Sequence, residues 1–324
     1  MSRYGKVFVS WTGPFPALCV GDYAMAKEIL ADRSGLYAKP DPGASILALF
    51  GNGLAFVNGD DWARHRRVVH PAFAMDKLKM MTKTMAECAR KVIRAWEARA
   101  AAAADGERMV QVEVGEQFQE LTADVISQTA FGSSYREGKE VFVAQRELQS
   151  IAMSALNSVR IPGSQYIPTK ANIRRRQLAK KMTMMLYETL RLYGPVSMLV
   201  RMATADAELG GVRVPKGTLT MIPVAILHRD ADVWGADAGE FDPLRFRGGV
   251  NRAAAHAGAL LAFSLGQRSC IGQDFAMMEA KTTLAMVLRR FAFEVSPEYV
   301  HAPLDFLTLQ PQFGLPVVLK LLDQ

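Results

Sequence analysis

Cysteine is scarce in this sequence, and long apolar runs and targeting signals are missing from it. The 324 residues include only Cys19, Cys88 and Cys270, which are too few and too scattered for a disulfide framework or a zinc site. The longest purely apolar run, residues 221–227, is far shorter than the roughly 20 residues that a membrane helix needs. Residues 1–20 lack the charged-then-apolar pattern of a signal peptide. The sequence as given therefore predicts a soluble or peripheral protein in, or facing, a reducing compartment.

The composition is that of a folded protein with a moderate excess of basic residues. Hydrophobic residues make up 50% and charged residues 22%, and 39 basic side chains against 32 acidic ones give a net charge of +7. Such an excess is compatible with nucleic acid, an anionic membrane surface or an acidic protein partner. The basic residues at 174–176 and 180–181 have no interleaved aromatic platform and no nucleic-acid fold around them, so we predict no nucleic-acid partner.

The hydrophobic pattern predicts one mainly helical domain over residues 1–324, with a small strand-rich flank. No internal repeat or Pro/Gly/Ser-rich linker divides the chain. Cys19 and Cys88 lie in apolar or helical patterns and are predicted to be buried structural thiols. Strands are predicted at 6–11, 17–20 and through 199–227, and helices at 23–31, 60–104, 117–131, 139–157, 172–192 and 272–291.

The third cysteine lies in a different kind of segment, a loop directly ahead of the last predicted helix. The loop contains Phe263, Gly266, Arg268, Cys270 and Gly272 in the pattern F-x-x-G-x-R-x-C-x-G. A cysteine ahead of a helix receives the positive end of the helix dipole and free N–H donors, which stabilise a thiolate. The glycines permit tight turns and close approach of the backbone to a flat group. The alternative is an ordinary loop that leads into a helix and holds a buried cysteine, but five fixed positions in ten argue against it.

This ten-residue pattern resembles the signature of the cytochrome P450 family. The resemblance implies a P450 fold and haem b whose iron is bound by the thiolate of Cys270. It implies that Arg268 pairs with a haem propionate and that Phe263 packs beneath the porphyrin, with Gly266 and Gly272 shaping the loop. It also implies oxygen, an apolar small-molecule substrate and electrons from NADPH–cytochrome P450 reductase. The family setting implies the cytosolic face of the endoplasmic reticulum membrane.

Further motifs in the family's order extend the resemblance over nearly the whole chain. Glu188-Thr-Leu-Arg191 resembles the family's E-x-x-R helix, and residues 241–246 resemble the segment that brings Arg245 to that pair. A buried charge needs partners, so one acid shared by two guanidinium groups is a sensible arrangement for bracing the cysteine loop. Alone, Glu188 and Arg191 would be read as an exposed i, i+3 surface pair.

A second group of residues resembles the propionate-binding positions of the family. Trp62 and Arg66 are four residues apart, on one helix face, and offer an indole N–H and a guanidinium group. Arg201 follows at the position of a third propionate-binding arginine, although a surface arginine explains it nearly as well. His228 is predicted to be structural and not an iron ligand.

One expected element is missing, which makes the predicted fold incomplete. Near residues 181–184 the sequence passes directly into the Glu188 helix, whereas the family has a long distal helix carrying an acid or amide beside a threonine over the iron. Thr122 and Asp124 have helical spacing but fall in a segment that resembles a different, structural helix. We therefore identify no catalytic residue on the distal side, and the resemblance also lacks the family's N-terminal membrane anchor.

Two hypotheses remain open at this stage. The first is a haem-thiolate monooxygenase, similar to plant hydroxylases of fatty acids or hormones, with Arg64 and Arg67 on a basic face for the reductase; a solvated helix face explains these arginines equally well. The second is a haem-binding fragment or splice variant that is catalytically impaired because oxygen cleavage needs protons delivered on the distal side.

Overall fold

The computed structural model describes residues 4–12, 15–42, 52–102, 108–131, 170–306 and 308–322. Its helices, in chain order, are α1 (Tyr23–Ala31), α2 (Gly59–Val69), α3 (Met75–Ala101), α4 (Val114–Ile126), α5 (Lys170–Tyr193), α6 (Val224–Leu227), α7 (Ala231–Trp234) and α8 (Gln273–Arg290). Its strands are β1 (Val7–Thr12), β2 (Phe15–Val20), β3 (Tyr37–Ala38), β4 (Met109–Glu113), β5 (Met198–Ala203), β6 (Ala207–Leu209), β7 (Val212–Val214), β8 (Leu219–Pro223), β9 (Phe291–Val295), β10 (Pro303–Phe306), β11 (Thr308–Pro311) and β12 (Pro316–Leu321).

Helix starts are fixed by side chains that satisfy the free backbone N–H groups of the first turn. Asp22 precedes α1, and its carboxylate accepts the N–H of Met25 at 2.9 Å. Glu113 precedes α4 and accepts from Gly115 and Glu116 at 3.1 and 2.7 Å. Such caps contribute about 1 kcal/mol each, so the two acids define where these helices begin.

The chain divides into two compact units, which we describe separately. The first comprises residues 1–74, 184–274 and 305–310 and contains a five-stranded sheet of order β1-β2-β8-β5-β3. Strands β1 and β2 form an antiparallel hairpin, β2 runs parallel to β8, and β5 is antiparallel to both β8 and β3. Apolar residues of β2, α1 and β8 belong to the core of this unit, including Val20, Ile29 and Ile222, each at most 1% exposed.

The second unit comprises residues 75–183, 275–304 and 311–324. Its sheet has the order β4-β12-β9, with β12 antiparallel to both neighbours. Trp96 of α3, 1% exposed, packs edge-on against Phe118 of α4 and Phe291 of β9. These aromatic contacts join two helices and the sheet into one core. That the whole chain is a single domain stays a prediction.

The sequence-based assignments of the elements hold for most of the described chain. Helices predicted at 23–31, 172–192 and 272–291 are found within two residues of those bounds. The helix predicted at 60–104 is wrong in its continuity: it divides into α2, a 3₁₀ turn at His70–Phe73 and α3, because Pro71 supplies no backbone N–H. Residues 224–227, predicted as strand, form the short helix α6. The helix predicted at 139–157 lies outside the described residues.

Cys19 and Cys88 are buried, as predicted, and burial raises the pKa of the Cys88 thiol to about 11. Near Cys88 in the second unit, α8 carries a buried carboxyl group, that of Glu279, which is 8% exposed. Neither Oε1 of Glu279 nor Oγ1 of Thr283, one turn along α8, has a hydrogen-bond partner. Desolvation raises the pKa of Glu279 to about 7. This carboxyl group is therefore stable in the fold mainly in its neutral form.

We expect Glu279→Gln to stabilise the protein at pH 8 and to have little effect at pH 5. The folded-state pKa lies above the unfolded value of 4.5, so the folded protein binds the extra proton and loses stability as pH rises from about 4.5 through 7. The loss amounts to about 3 kcal/mol above that range. Urea denaturation at several pH values measures it. Glu294→Gln, at an exposed strand position, is the matched control, and an equal stabilisation by that control would contradict the assignment.

Candidate functional site

The cysteine loop is closed by backbone hydrogen bonds. The N–H of Cys270 donates to the carbonyl of Phe263 at 2.8 Å, and the N–H of Ser269 donates to Gly266 at 3.1 Å. Ser264 holds a positive φ of 61°, which is unfavourable for a side chain with a Cβ. The loop presents Cys270 in an exposed position three residues before α8, while the other two cysteines are buried. Cys270 is therefore the thiol that an external group can reach.

The two glycines of the loop have different reasons to be glycine. Gly266 has φ 73°, and a Cβ there would lie 2.3 Å from the carbonyl oxygen of Leu30. This glycine lets the loop pack against the end of α1, a contact that the sequence does not reveal. A Cβ at Gly272 would lie 3.9 Å from Cys270 Sγ and 3.7 Å from the ring of Phe73, which is ordinary contact. The missing side chain at 272 therefore leaves room beside the sulfur rather than relieving a clash.

Helix α2 holds the cysteine loop from its side. Arg66 donates to the carbonyl of Ser269, the residue before Cys270, at 2.9 Å. The guanidinium carbon of Arg268 lies 4.4 Å from the ring centroid of Trp62 in a cation–π contact. Trp62 and Arg66 thus share one face of α2, as their spacing predicts, and both engage the loop that carries the thiol. The exposed Arg64 on the same helix is paired with Asp61 at 2.8 Å.

Cations collect around this thiol loop without acids to balance them. Burial lowers the pKa of Lys39 to about 8, and the charges of Arg201 and Arg268 add to that effect. Burial, Arg201 and Arg66 together lower the pKa of Arg268 to about 10. Arg201 is 4% exposed, so it is not a surface arginine, and its pKa is also lowered by burial. In the described part of the chain, none of these four cations forms an ion pair with a carboxylate.

We call these four side chains the cation cluster: Lys39, Arg66, Arg201 and Arg268. Like charges in a partly buried region repel each other strongly, and such an arrangement is tolerated where an anion occupies the space. An exposed thiol beside a cation cluster fits a flat group that has a metal at its centre and carboxylates at its edge. No cluster of three or more His, Cys, Asp or Glu residues with metal-site geometry exists among the described residues.

Asn58 connects two members of the cation cluster. Its Oδ1 accepts the backbone N–H of Lys39 at 3.1 Å and a guanidinium N–H of Arg268 at 2.9 Å. Its Nδ2 donates to the carbonyl of Lys39 at 2.9 Å. Sequence reasoning missed both Asn58 and Lys39. A lysine followed by proline and an asparagine before a helix carry no signal by themselves, and only the fold brings them to the loop.

A buried charge pair lies behind the loop. Glu188 and Arg191 of α5 are at most 1% exposed and form two parallel hydrogen bonds of 2.7 Å. Arg191 also donates to the carbonyls of His228, Ala238 and Glu240 at 2.6 to 2.9 Å. Burial opposes ionisation of Glu188, but the bonds from Arg191 and from the N–H of Asp242 outweigh it, and its pKa is lowered. The pair is charged, and it fastens α5 to the loops around 228–240.

Arg245 also interacts with Glu188, but over a longer distance than Arg191 does. Its Nε lies 3.6 Å from Glu188 Oε1 and makes no hydrogen bond there. Its other nitrogens bind Asp237, at 3.0 Å to Oδ2, and the carbonyl of Trp234 at 2.7 Å. Glu188 is therefore shared unequally: it makes short paired hydrogen bonds with Arg191 and a longer ion pair with Arg245, whose remaining nitrogens bind Asp237 and a backbone carbonyl.

His228 connects the Glu188–Arg191 pair to the segment that leads into the cysteine loop through hydrogen bonds. Its ring is 1% exposed, with Nδ1 2.8 Å from the carbonyl of Arg191 and Nε2 accepting the N–H of Leu261 at 2.8 Å. This pattern requires the neutral ring, and burial lowers its pKa to about 4. Leu261 in turn accepts the N–H of Ser264 at 2.8 Å. As predicted, His228 is structural: both of its nitrogens are used inside the protein.

The structure therefore brings most of the predicted residues together within the first unit. Trp62, Arg66 and Arg268 meet at the loop, while Phe263 lies half-buried with its carbonyl bound to Cys270. Thr122, which has helical spacing to Asp124, bonds to the carbonyl of Gln119 within α4, in the second unit. The side chains at 174–176 lie outside the described ones.

Comparisons with known proteins give one consistent result. The sequence model of the family described as Cytochrome P450 matches residues 1–182 and 172–317. Cytochrome P450 709B1 of Arabidopsis thaliana is 36% identical over 430 aligned positions, which cover 100% of this chain and 83% of that protein. Cytochrome P450 734A6 of Oryza sativa subsp. japonica is 33% identical, over 98% of this chain and 80% of that protein. Secologanin synthase 1 of Catharanthus roseus is 30% identical, over 100% and 82%.

These alignments also carry information about length. The 430 positions aligned with the first of these relatives exceed the 324 residues of this chain by 106. The family model matches in two segments that overlap at residues 172–182, not in one continuous match. Both features place extra residues of the relatives opposite gaps in this chain.

We expect Glu188→Gln to destabilise the first unit by about 3 to 5 kcal/mol, because it leaves Arg191 buried without its counter-charge. Urea denaturation followed by circular dichroism measures the change. Glu28→Gln, at an exposed position of α1, is the control and should change stability by less than about 0.5 kcal/mol. An equal effect of both substitutions would show that the Glu188 pair does not hold the unit together.

Proposed function

We propose, since the chain belongs to the cytochrome P450 family, that it is a haem-thiolate monooxygenase acting on an apolar small molecule. Membership makes it an enzyme of that family with haem as cofactor. The finer proposal is haem b held by Cys270, with molecular oxygen and electrons from NADPH–cytochrome P450 reductase. Fatty acids, hormones and other secondary metabolites are the substrate classes that we propose, in keeping with a relative named secologanin synthase.

The observation that carries the proposal is the exposed Cys270 thiol beside the cation cluster. Haem b offers one iron and two carboxylates, and the site offers one accessible sulfur and four cations without acidic partners in the described chain. Arg268, already fixed over Trp62 and by Asn58, can face a propionate with little loss of entropy. The missing side chain at Gly272 leaves the sulfur uncovered on that side, where a Cβ would lie 3.9 Å from it. The residues present therefore fit the group that the family implies.

Each protein group has a definable task in this proposal. Cys270 would bind the iron through its thiolate, and the hydrogen bond from its N–H to the carbonyl of Phe263 fixes the backbone that carries the sulfur. Arg66 holds the carbonyl of Ser269 and so fixes the backbone next to the thiol. Lys39 and Arg201, half-buried and buried, would offer positive charge to the haem propionates. The haem itself supplies the oxygen chemistry.

A second candidate function, a haem binder with impaired catalysis, rests on the alignments. The sequence shows no acid or amide beside a threonine in the order expected for the distal helix, and the alignment with Cytochrome P450 709B1 has 106 positions more than this chain has residues. The break in the family match at 172–182 supports an internal deletion near residues 181–184. Without such a helix, activation of oxygen would lack its proton donor. We propose an abridged or alternatively spliced enzyme as the origin.

The proposed location is the cytosolic face of the endoplasmic reticulum membrane, the usual place of plant members of the family. None of the described helices combines the length and the apolarity that crossing a bilayer requires. The proposed reductase would approach a basic surface, to which Arg67, exposed on α2, contributes. Arg64 is a weaker candidate because Asp61 already offsets its charge.

We expect Cys270→Ala to abolish the thiolate-type absorption of the reduced, carbon monoxide-bound protein after reconstitution with haem. Cys270 is exposed and makes only a backbone hydrogen bond, so the fold should persist. Cys19→Ala, at a buried thiol, is the control and should keep the spectrum. An unchanged spectrum in the Cys270 variant would falsify the ligand assignment. Product formation with added reductase then separates the two candidates: coupled turnover supports the monooxygenase, and its absence supports the impaired binder.

We expect haem affinity to fall as pH rises above about 8, and Lys39→Arg to remove most of that fall. The pKa of Lys39 is lowered to about 8, and a propionate favours its charged form, so binding above pH 8 requires uptake of a proton. The slope approaches tenfold per pH unit. Haem titrations from pH 7 to 9.5 measure it. Identical profiles for the two proteins would refute a role for Lys39.

A further inference from the structure

A cavity of about 580 Å³ in the second unit is lined by none of the residues that we assign to the thiol loop or the cation cluster. It lies between α3 and α8 and is lined mainly by arginines, with a single carboxylate. From α3 come Arg90, Ile93, Arg94 and Glu97, which follow one face at helical spacing. From α8 come Met286, Arg289 and Arg290, again on one face. Its volume is in the range of small-molecule sites.

The charges of this cleft do not balance. Arg290 binds the carboxylate of Glu97 at 2.5 Å, which occupies the only acid in the lining. Arg90, Arg94 and Arg289 have no ion pair or side-chain hydrogen bond within the part of the chain that the structure describes. Arg90 and Arg94 also repel each other as an i, i+4 pair of like charge. Three exposed guanidinium groups therefore line one cleft without an acidic partner in the described chain. An anionic ligand in the cleft would balance their charge.

We propose that this arginine cleft binds a phosphate or diphosphate group carried on a small molecule or a lipid headgroup. Guanidinium groups match phosphate oxygens in paired hydrogen bonds, and several of them favour an anion of charge −2 or more over a single carboxylate. The buried Ile93 and the half-buried Met286 give the cleft an apolar wall for the body of the ligand. The ion pair of Arg290 with Glu97 joins α8 to α3 within the lining of the cleft.

Calorimetric titration of the haem-reconstituted full chain with inorganic pyrophosphate tests the proposal. Sodium sulfate keeps the ionic strength constant and competes as a simple dianion. We expect saturable binding at one site, weakened at least about tenfold by the double substitution Arg94→Gln and Arg289→Gln, because each removes a charge-assisted hydrogen bond. Both side chains are exposed, so the fold should be retained. Arg247→Gln, at an exposed arginine of the first unit, is the matched charge control and should bind like the unsubstituted chain.

A second arm separates the two sources of the phosphate. Phosphatidylcholine vesicles with and without phosphatidylinositol 4-phosphate are sedimented with the protein, with and without pyrophosphate. Retention that needs the phosphorylated lipid and is displaced by pyrophosphate identifies a headgroup ligand, and pyrophosphate binding without vesicle retention identifies a soluble one. Binding unchanged in the double variant, or matched by sulfate, would overturn the proposal. The haem spectrum is recorded throughout, so a failure of haem binding is seen separately.

Discussion

The ion pair of Glu188 with Arg191 is the interaction on which the rest of the first unit depends. Two opposite charges in a place that excludes water are tolerated only when every donor and acceptor is used. Here Arg191 uses its donors on the carboxylate and on carbonyls of three residues between 228 and 240. Because those carbonyls belong to loops without regular structure, the pair replaces the backbone ladder that would otherwise hold them. A side-chain pair thus organises a region that has few strands or helices of its own.

The consequence reaches the thiol through a short series of hydrogen bonds. Arg191 positions His228 through its carbonyl, and His228 accepts from Leu261 at the entrance of the cysteine loop. The far side of the loop is held by Arg66 at Ser269 and by Arg268, which is itself held by Asn58. The loop is therefore fixed at both ends before any cofactor binds. This pre-organisation lowers the entropic cost of placing a large flat group against the sulfur.

Some residues of the site could be predicted from the sequence and others could not, and the difference has a physical cause. Residues whose roles are local could be found from spacing alone: Trp62 and Arg66 on one helix face, and Glu188 and Arg191 one turn apart. Roles that depend on distant contacts could not. Lys39 reaches the cation cluster only because β3 pairs with β5 and brings it near Arg201. Gly266 is required by Leu30, more than 200 residues earlier, and no short pattern contains that information.

The partner of Arg245 shows the same limit within a short segment. Sequence order places Arg245 near Glu188, and the two do form an ion pair of 3.6 Å, but the nearer partners of the guanidinium group are Asp237 and the carbonyl of Trp234. The carbonyl of Trp234 lies at the end of α7, beside Gly235, where φ is 92°. Family order can therefore identify which charges meet, whereas their pairing follows from backbone geometry. The distinction matters for function. Glu188 makes its two shortest hydrogen bonds with Arg191, and the carbonyl of Arg191 holds His228, which in turn bonds to the segment that leads into the Cys270 loop.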